Sequence, residues 1–464
     1  MRYLFTTLQH RESDFYGRVG AVLAEHGNQV EHVTFSRRAS KVLGRGASRA
    51  HCLPDEMASL APFDLVREAD RIERTYELPS LRDVYRTDPP CAGRTEAWCL
   101  ERTVRHFLAL ERIFDEAEPQ VIIPEVGTET LRTAAHLIGL HREIPVLFLL
   151  YTIFPQPLRL YRDTLHAPIV PQAELRPLGA EERSEVEDFI AGFTERATPI
   201  RAYREPRITP TKLGELARHV AVRALYDRDN DYLRPAYFVT NHVRKQVRRS
   251  YSKRLYQPLE NGSRPFVYFP LHLTDDYKIR RVVPHCVHQD AIVEQVAAAL
   301  PQGHDLVLKE HPLSIGWNPV GMLRRLSATD NIRLVHPHTS SHELIRRSEA
   351  VAVIGSTVGL EALLYAKPVM TLGQPFYSGY GITLDVDSFR ELREAVPALL
   401  AFRPDRERIL AFIHAAMKRC RPGKPVLVDD SDENARALAA SLQASVAGAA
   451  EDGAHGPRDD HQVE

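Results

Sequence analysis

Two doubly wound, parallel-sheet domains of an α/β fold are what this sequence predicts, and three observations carry the prediction. Short runs of β-branched and aromatic residues alternate with longer segments of helical periodicity, the pattern of a parallel sheet covered by helices. That alternation occurs twice, before residue 150 and again after residue 260, with a looser stretch between. A chain of 464 residues also exceeds one ordinary core, while it fits two cores of about 150 to 200 residues each.

The first half opens with Met1–Leu8 as a strand, a helix from Asp14 to a glycine stop at Gly27, and a second strand over Gln29–Phe35. After a charged, loop-rich region, a helix around Glu96–Ala117 leads to the apolar strand Val121–Ile123, a helix through Leu140 and a strand over Pro145–Leu150. From Thr164 to Leu259, proline-bearing and charged stretches with helical pieces read as an insertion. Strands over Phe266–Phe269, Asp305–Lys309, Ile332–Val335, Val351–Ile354 and Pro368–Leu372 then alternate with helices over Gln289–Leu300, Ser341–Ser348 and Thr357–Ala366. The expected organisation is a first α/β domain at 1–163, a helical, charged insertion and linker at 164–259, and a second, nucleotide-binding α/β domain at 260–425. A C-terminal helix at 426–446 and a polar, disordered tail at 447–464 complete it.

Acidic and basic residues nearly cancel, at a formal charge of -1, so no global field draws nucleic acid and any anion site has to be local. The local exception is the cluster Arg244, Lys245, Arg248, Arg249, Lys253 and Arg254, which suits peripheral contact with an anionic lipid surface or a glycan, or simply a solvated face. Five scattered cysteines without CxxC spacing fit a reducing cytoplasm. The amino terminus lacks the apolar core and cleavage site of a signal peptide, and no run of about 18 apolar residues occurs. A cytoplasmic protein, peripheral at the inner face of the cell membrane, is the expectation.

In open parallel sheets, ligands gather beyond the carboxyl ends of the strands, and three segments fall there. Lys309-Glu310-His311-Pro312 leaves a buried strand, and such a cluster suits phosphate: an imidazole can hydrogen-bond or protonate a departing phosphate oxygen. The alternative is that His311 only caps the strand end. Gly355-Ser356-Thr357-Val358-Gly359 follows another strand and opens a helix, so its hydroxyls and free N–H groups can hold a phosphate, or merely satisfy the helix's own donors. Glu361 one turn later is placed either for ribose hydroxyls or for the helix's positive end. Pro124-Glu125-Val126-Gly127-Thr128-Glu129, after the strand Val121–Ile123, offers Glu125 or Glu129 as a base for an acceptor hydroxyl, unless they serve as a loop charge and a helix-start carboxylate. Gln374, Phe376, Tyr377 and Tyr380 follow the strand that ends at Leu372 and serve as sugar contacts or as core plugs. Neither Asp385-Val386-Asp387 nor the 21 histidines form a recognisable metal set, so the predicted chemistry uses no metal and no resident cofactor.

The set Lys309-Glu310-His311-Pro312, Gly355-Ser356-Thr357-Val358-Gly359-Leu360-Glu361-Ala362 and Lys367-Pro368-Val369 resembles the capsule polysaccharide biosynthesis family, which includes bacterial β-Kdo transferases. Tyr268-Phe269-Pro270-Leu271-His272 is similar to the segment that precedes the His-Pro motif in that family, and the resemblance spans about residues 265 to 385. It implies a GT-B-like pair of Rossmann-type domains facing a cleft, and a glycosyltransferase using a CMP-linked donor such as CMP-Kdo. The acceptor would be a polysaccharide or a lipid-linked glycan. On this resemblance His311 contacts the donor phosphate and acts as general acid, Ser356 and Thr357 bind the same phosphate, and Lys309 adds charge. Glu310, Pro312, Gly355, Gly359 and Glu361 complete the nucleotide site, and His272, Gln374 and Tyr377 contact substrate. After His272, Leu273-Thr274-Asp275-Asp276 departs from the family's usual stretch. Other readings of the same scaffold are a CDP-glycerol or ribitol phosphotransferase, a nucleotide-sugar 2-epimerase and a non-catalytic glycan-assembly subunit.

Overall fold

In the computed structural model the described residues are 1–44, 48–165, 169–197, most of 214–260, Gly262 and 264–452. They form two compact units: residues 1–163, 226–230 and 420 onward, and residues 164–225 with 231–419.

The first unit is built on the parallel strands β1 (Arg2–Thr7), β2 (Gln29–Thr34), β3 (Arg49–Cys52) and β4 (Val121–Ile123), in the order β3-β2-β1-β4. Tyr3, Leu4 and Phe5 of β1 pair with Val30, Glu31 and His32 on one side and with Val121, Ile122 and Ile123 on the other. The central strands β1 and β4 carry the apolar runs Tyr3-Leu4-Phe5 and Val121-Ile122-Ile123, as strands buried on both faces do. The helix Thr130–His141 lies close on β4: a Cβ on Gly139 would come within 2.5 Å of Val146 and 2.7 Å of Ile122, so only glycine fits there. The expected strand at Pro145–Leu150 does not join the sheet as a full member. β5 (Leu147–Tyr151) instead pairs antiparallel with β6 (Leu158–Arg162), and the ladder to β4 is reduced to an isolated bridge between Ile122 and Val146, just before β5. Pro155 and Pro157 lie in the turn that brings the chain back as the second strand of a hairpin.

The region between β2 and Glu96 holds more order than its charge suggests. Its helix Leu65–Thr75 is capped by the Asp64 carboxylate, which accepts from the Val66 and Arg67 N–H groups. The C-terminal helix, expected at 426–446, spans Asp432–Asp452 and belongs to this first unit. Ala435, Leu438, Ala439 and Leu442 complete the core around Phe5, Phe15, Tyr16 and Val19. The tail expected from 447 is therefore helical as far as Asp452, and residues 453–464 lie outside the described residues.

The second unit carries six parallel strands: β7 (Phe266–Pro270), β8 (Asp305–Lys309), β9 (Ile332–Val335), β10 (Ala350–Val353), β11 (Val369–Thr371) and β12 (Leu384–Asp385). Their order, β9-β8-β7-β10-β11-β12, runs outward in one direction from β7 and then in the other from β10, the doubly wound order with its switch point between β7 and β10. β12 was not expected. Asp385 pins it, accepting from the Thr371 and Thr383 hydroxyls at 2.6 Å each and from the Gly379 N–H at 2.7 Å. The stretch 164–259 does not stand as a separate linker. All of it except 226–230 falls in this unit, including the helices Ala180–Arg196 and Pro235–Ser252, while 198–213 lies outside the described residues.

All five cysteines are buried and unpaired. Among the described residues no helix is long and apolar enough to cross a membrane.

Candidate functional site

The switch-point rule selects the loops after β7 and β10, and the structure ties those two loops together. His272, two residues past β7, is buried and accepts the Gly355 N–H at Nε2, 3.1 Å away. Its backbone is clamped by the Gln289 side chain, which accepts from the His272 N–H at 2.8 Å and donates to its carbonyl. Burial lowers the His272 pKa to about 4, so the ring is neutral and its Nε2 stays an acceptor. His272 was expected to contact substrate; the structure makes it the residue that positions the Gly355 loop from behind.

Ser356 is the N-cap of the helix Thr357–Leu364, its hydroxyl accepting from the Val358 N–H at 3.2 Å. That bond uses one lone pair and leaves the Ser356 O–H as a donor. The Thr357 side chain bonds Glu361. Both residues are half-buried, so the loop keeps an open side.

The strand-end cluster after β8 divides in two. His311 is half-buried, and its Nδ1 accepts from the Leu313 N–H at 3.1 Å across the short turn begun by Pro312. With Nδ1 accepting, the neutral ring carries its proton on Nε2. Desolvation and the Lys309 charge lower the His311 pKa to about 4, against a smaller opposing pull from Asp276. At neutral pH His311 is therefore a fixed N–H donor and not an imidazolium.

Glu310 and Lys309 turn the other way. Glu310 is fully buried; it accepts from the Tyr256 hydroxyl at 2.5 Å and from the Asn318 amide at 2.6 Å, so it ties the chain before β7 to the loop after β8 and cannot reach a nucleotide. The Lys309 ammonium, also buried, donates to the Thr339 carbonyl at 3.0 Å and to the Ser341 hydroxyl at 2.5 Å. Burial lowers its pKa to about 8. Lys309 supplies positive potential from beneath the site without touching a ligand in this arrangement. Glu361 is its electrostatic counterpart: buried, with its pKa raised to about 7 by desolvation and held back by the Lys309 charge. Glu361, expected to contact a ribose, is 4% exposed and bonded to Thr357, as a carboxylate at the start of the helix.

Tyr377 is also corrected. It is fully buried, its hydroxyl donates to the Ser356 carbonyl at 2.5 Å, and it packs against Gly359, where a Cβ would overlap the ring. Tyr377 is a plug that sets the height of the loop, not a sugar contact. Tyr380 and Phe376 pack on Phe412 in the same way. Gln374 is exposed, in a left-handed backbone conformation (φ 49°) at the end of β11.

In the first unit, the switch point between β1 and β4 brings together a charged network only partly visible in the sequence. Arg132, buried, bonds both Glu12 oxygens at 3.1 Å, Glu129 at 3.0 Å and the Val126 carbonyl at 2.9 Å. Glu125, buried and in a left-handed conformation (φ 55°), accepts from the Tyr16 hydroxyl and from the Val126 N–H. Desolvation raises the Glu125 and Glu129 pKa values, opposed by the Arg132 charge. Tyr16, Glu12 and Arg132 were missed, although Glu12 follows the first strand at a place the switch-point rule marks. Among the described residues, no group of three or more His, Cys, Asp or Glu side chains could hold a metal ion.

Two units, each a parallel sheet wound in both directions from a switch point and covered by helices, place the protein in the doubly wound α/β class. Residues 173–416, more than half of the chain, match the family model described as capsule polysaccharide biosynthesis protein, and the chain belongs to that family. Protein FixF of Sinorhizobium fredii is 29% identical over 173 residues, which are 35% of this chain and 40% of that protein. The capsule polysaccharide export protein KpsS of Escherichia coli is 28% identical over 156 residues, 32% of this chain and 40% of that one. The matches thus span less than half the length of these relatives. Among solved structures, the β-Kdo 2,4 transferase of Thermosulfurimonas dismutans KpsC is similar with a TM-score of 0.34 and 14% identity, over 63% of this chain and 79% of that one.

Proposed function

We propose that this protein is a glycosyltransferase of capsular or exopolysaccharide biosynthesis. It takes a sugar from a nucleotide-sugar, a CMP-sugar such as CMP-Kdo, and passes it to a glycan or lipid-linked acceptor without a metal ion on the leaving phosphate. The observation that carries the reading is the His272 to Gly355 hydrogen bond, which holds the helix N-terminus at Ser356 at the switch point, on the same strand-end edge as His311. Family membership supports the pathway, and the His-Pro and Gly-Ser-Thr motifs support the CMP-linked donor.

In the transfer, the acceptor oxygen bonds the anomeric carbon, the bond from that carbon to the donor phosphate oxygen breaks, and the nucleotide leaves with the electron pair. The charge that develops on phosphate falls to the Nε2–H of His311, the Ser356 hydroxyl and the helix N-terminus. Lys309 adds a favourable potential from below. The acceptor's proton is assigned to Glu125, whose raised pKa suits a base, with Glu129 second.

Calorimetric titration of the full chain with CMP, CDP, UDP and GDP, repeated on His311→Ala and Ser356→Ala, tests this. The reading expects CMP to bind best and both variants to lose at least about tenfold in affinity, near 1.4 kcal/mol. A CDP preference would replace it with glycerol or ribitol phosphate transfer, and a UDP preference would replace the CMP-sugar with an ordinary UDP-sugar donor or the transfer with epimerisation. No nucleotide binding would leave a glycan-assembly subunit.

A further inference from the structure

The helix Pro235–Ser252 presents two unlike faces. One is turned into the second unit: Asn241 and Ser252 are buried, the Lys245 ammonium stands 3.8 Å from the centre of the Trp317 ring, and Arg248 donates to the Trp317 carbonyl at 2.6 Å. Lys245 and Arg248 are thus engaged with the protein, and Arg244 donates to the Asn241 amide oxygen at 2.5 Å.

The opposite face is apolar. Val239, Val243, Val247 and Tyr251 follow at four-residue intervals, which keeps them on one side of the helix, and they are 49%, 57%, 52% and 52% exposed. A solvent-facing helix ordinarily carries polar residues at these positions. Arg244 borders the stripe on one edge and His242 and Lys253 on the other, all exposed, and Arg254 follows at the helix end. No Asp or Glu occurs between Asp231 and Glu260.

We infer that this face docks on an anionic lipid bilayer, with the valine stripe and the Tyr251 ring in the interface and the flanking cations against the headgroups. Charge complementarity and the apolar stripe select this occupant together. A soluble polyanion, whether glycan or nucleic acid, would use the cations and leave four exposed apolar side chains unexplained. A neutral bilayer would use the stripe and gain nothing from the exposed Arg244, Lys253 and Arg254 on its borders. An in-plane helix needs both features, a continuous apolar face and basic residues along its borders. Tyrosine suits the headgroup level because its ring is apolar and its hydroxyl is wet. The surface stands apart from the donor-phosphate reading and survives its failure.

The test is co-sedimentation of the full chain with vesicles of phosphatidylcholine alone, and of phosphatidylcholine with about a third phosphatidylglycerol. Binding to the anionic vesicles only is expected, weakening as salt rises. Val243→Glu/Val247→Glu, both changes on exposed positions and checked for an unchanged unfolding temperature, is expected to lower the bound fraction at least about tenfold, because carboxylates cannot enter the interface. Arg244→Gln/Lys253→Gln/Arg254→Gln should weaken binding and flatten its salt dependence. No binding of the wild type to anionic vesicles overturns the inference. So does binding that survives the valine substitutions, above all if heparin, a soluble polyanion, then competes fully, since the cations alone would be acting.

Discussion

Gly359→Ala isolates how the loop at Ser356 is held. Gly359 sits in the first turn of the helix Thr357–Leu364, where alanine should help: helix propensity alone favours Ala over Gly by about 1 kcal/mol. The structure predicts the reverse. A Cβ at this position would overlap the Tyr377 hydroxyl and lie 2.8 Å from its Cζ, and Tyr377 is fully buried with no room to retreat. Overpacking of this kind costs about 1 to 3 kcal/mol. Displacing the ring also breaks the bond from the Tyr377 hydroxyl to the Ser356 carbonyl, worth about 1 kcal/mol, and more if the carbonyl is left unsatisfied. Set against the propensity gain, the net is a destabilisation of about 2 kcal/mol. Urea unfolding of the full chain measures it. Tyr377→Phe supplies the control, since it loses the hydrogen bond but also removes the oxygen nearest the new methyl. The double variant should then be more stable than the sum of the single effects by about 1 kcal/mol. A Gly359→Ala protein as stable as wild type, or strict additivity with Tyr377→Phe, would refute the account of Tyr377 as the plug beneath the loop.

Three further outcomes follow from buried charge. Arg132→Ala should destabilise the first unit by about 3 to 5 kcal/mol in thermal or urea unfolding, because it strands Glu12 and Glu129, which Arg132 pairs at 3.1 and 3.0 Å, without a counter-charge. Glu361 has its pKa raised from 4.5 to about 7, so the folded state keeps a proton that the unfolded chain releases across that range, and stability should fall as pH rises through it. Glu361→Gln removes the titration, and its stability relative to wild type should grow by about 3 kcal/mol between pH 4.5 and pH 8. Glu125→Gln should lower the turnover of sugar transfer by at least about a hundredfold with donor affinity unchanged; weaker donor binding instead would place Glu125 outside the base role.

The parts of the fold that could be read from the sequence are those in which a strand is buried on both faces. β4, β7 and β10 are apolar along their length, and β1 and β8 hold the apolar triplets Tyr3-Leu4-Phe5 and Leu306-Val307-Leu308. β3, with the residues Arg-Ala-His-Cys, has none of the β-branched enrichment that marks a strand, and it exists because β2 offers it an edge. β12 is two residues long and depends on Asp385 bonding two threonines, a contact that no periodicity shows. That the last helix returns to the first unit is a matter of long-range packing by Ala435, Leu438 and Leu442. At the site, His311 and Ser356 announce themselves by lying at strand ends. The burial of Lys309 and Glu310 could not be seen, because a charged triplet reads as surface and their partners stand at Tyr256, Asn318, Thr339 and Ser341.

A histidine held neutral beside a lysine has a consequence for how a phosphate would be received. In the unliganded protein the His311 pKa is about 4, lowered chiefly by burial and then by Lys309, so at pH 5.5 the ring is almost wholly neutral. A phosphate anion against Nε2 would favour the imidazolium and push the pKa back up. If it returns to its ordinary 6.5, binding at pH 5.5 takes up most of one proton, and binding at pH 8 takes up none. Calorimetry of CMP binding in two buffers of different ionisation enthalpy counts that proton, and His311→Ala should abolish the uptake at pH 5.5 while retaining part of the affinity through Ser356. Protonating either ring costs a bond: on His311 the proton enters Nδ1 and displaces the Leu313 N–H of its own turn, whereas on His272, which also titrates near 4, it enters Nε2 and displaces the Gly355 N–H that holds the loop. Uptake that persists in His311→Ala would therefore assign the proton elsewhere and leave His311 as the cap of its own turn.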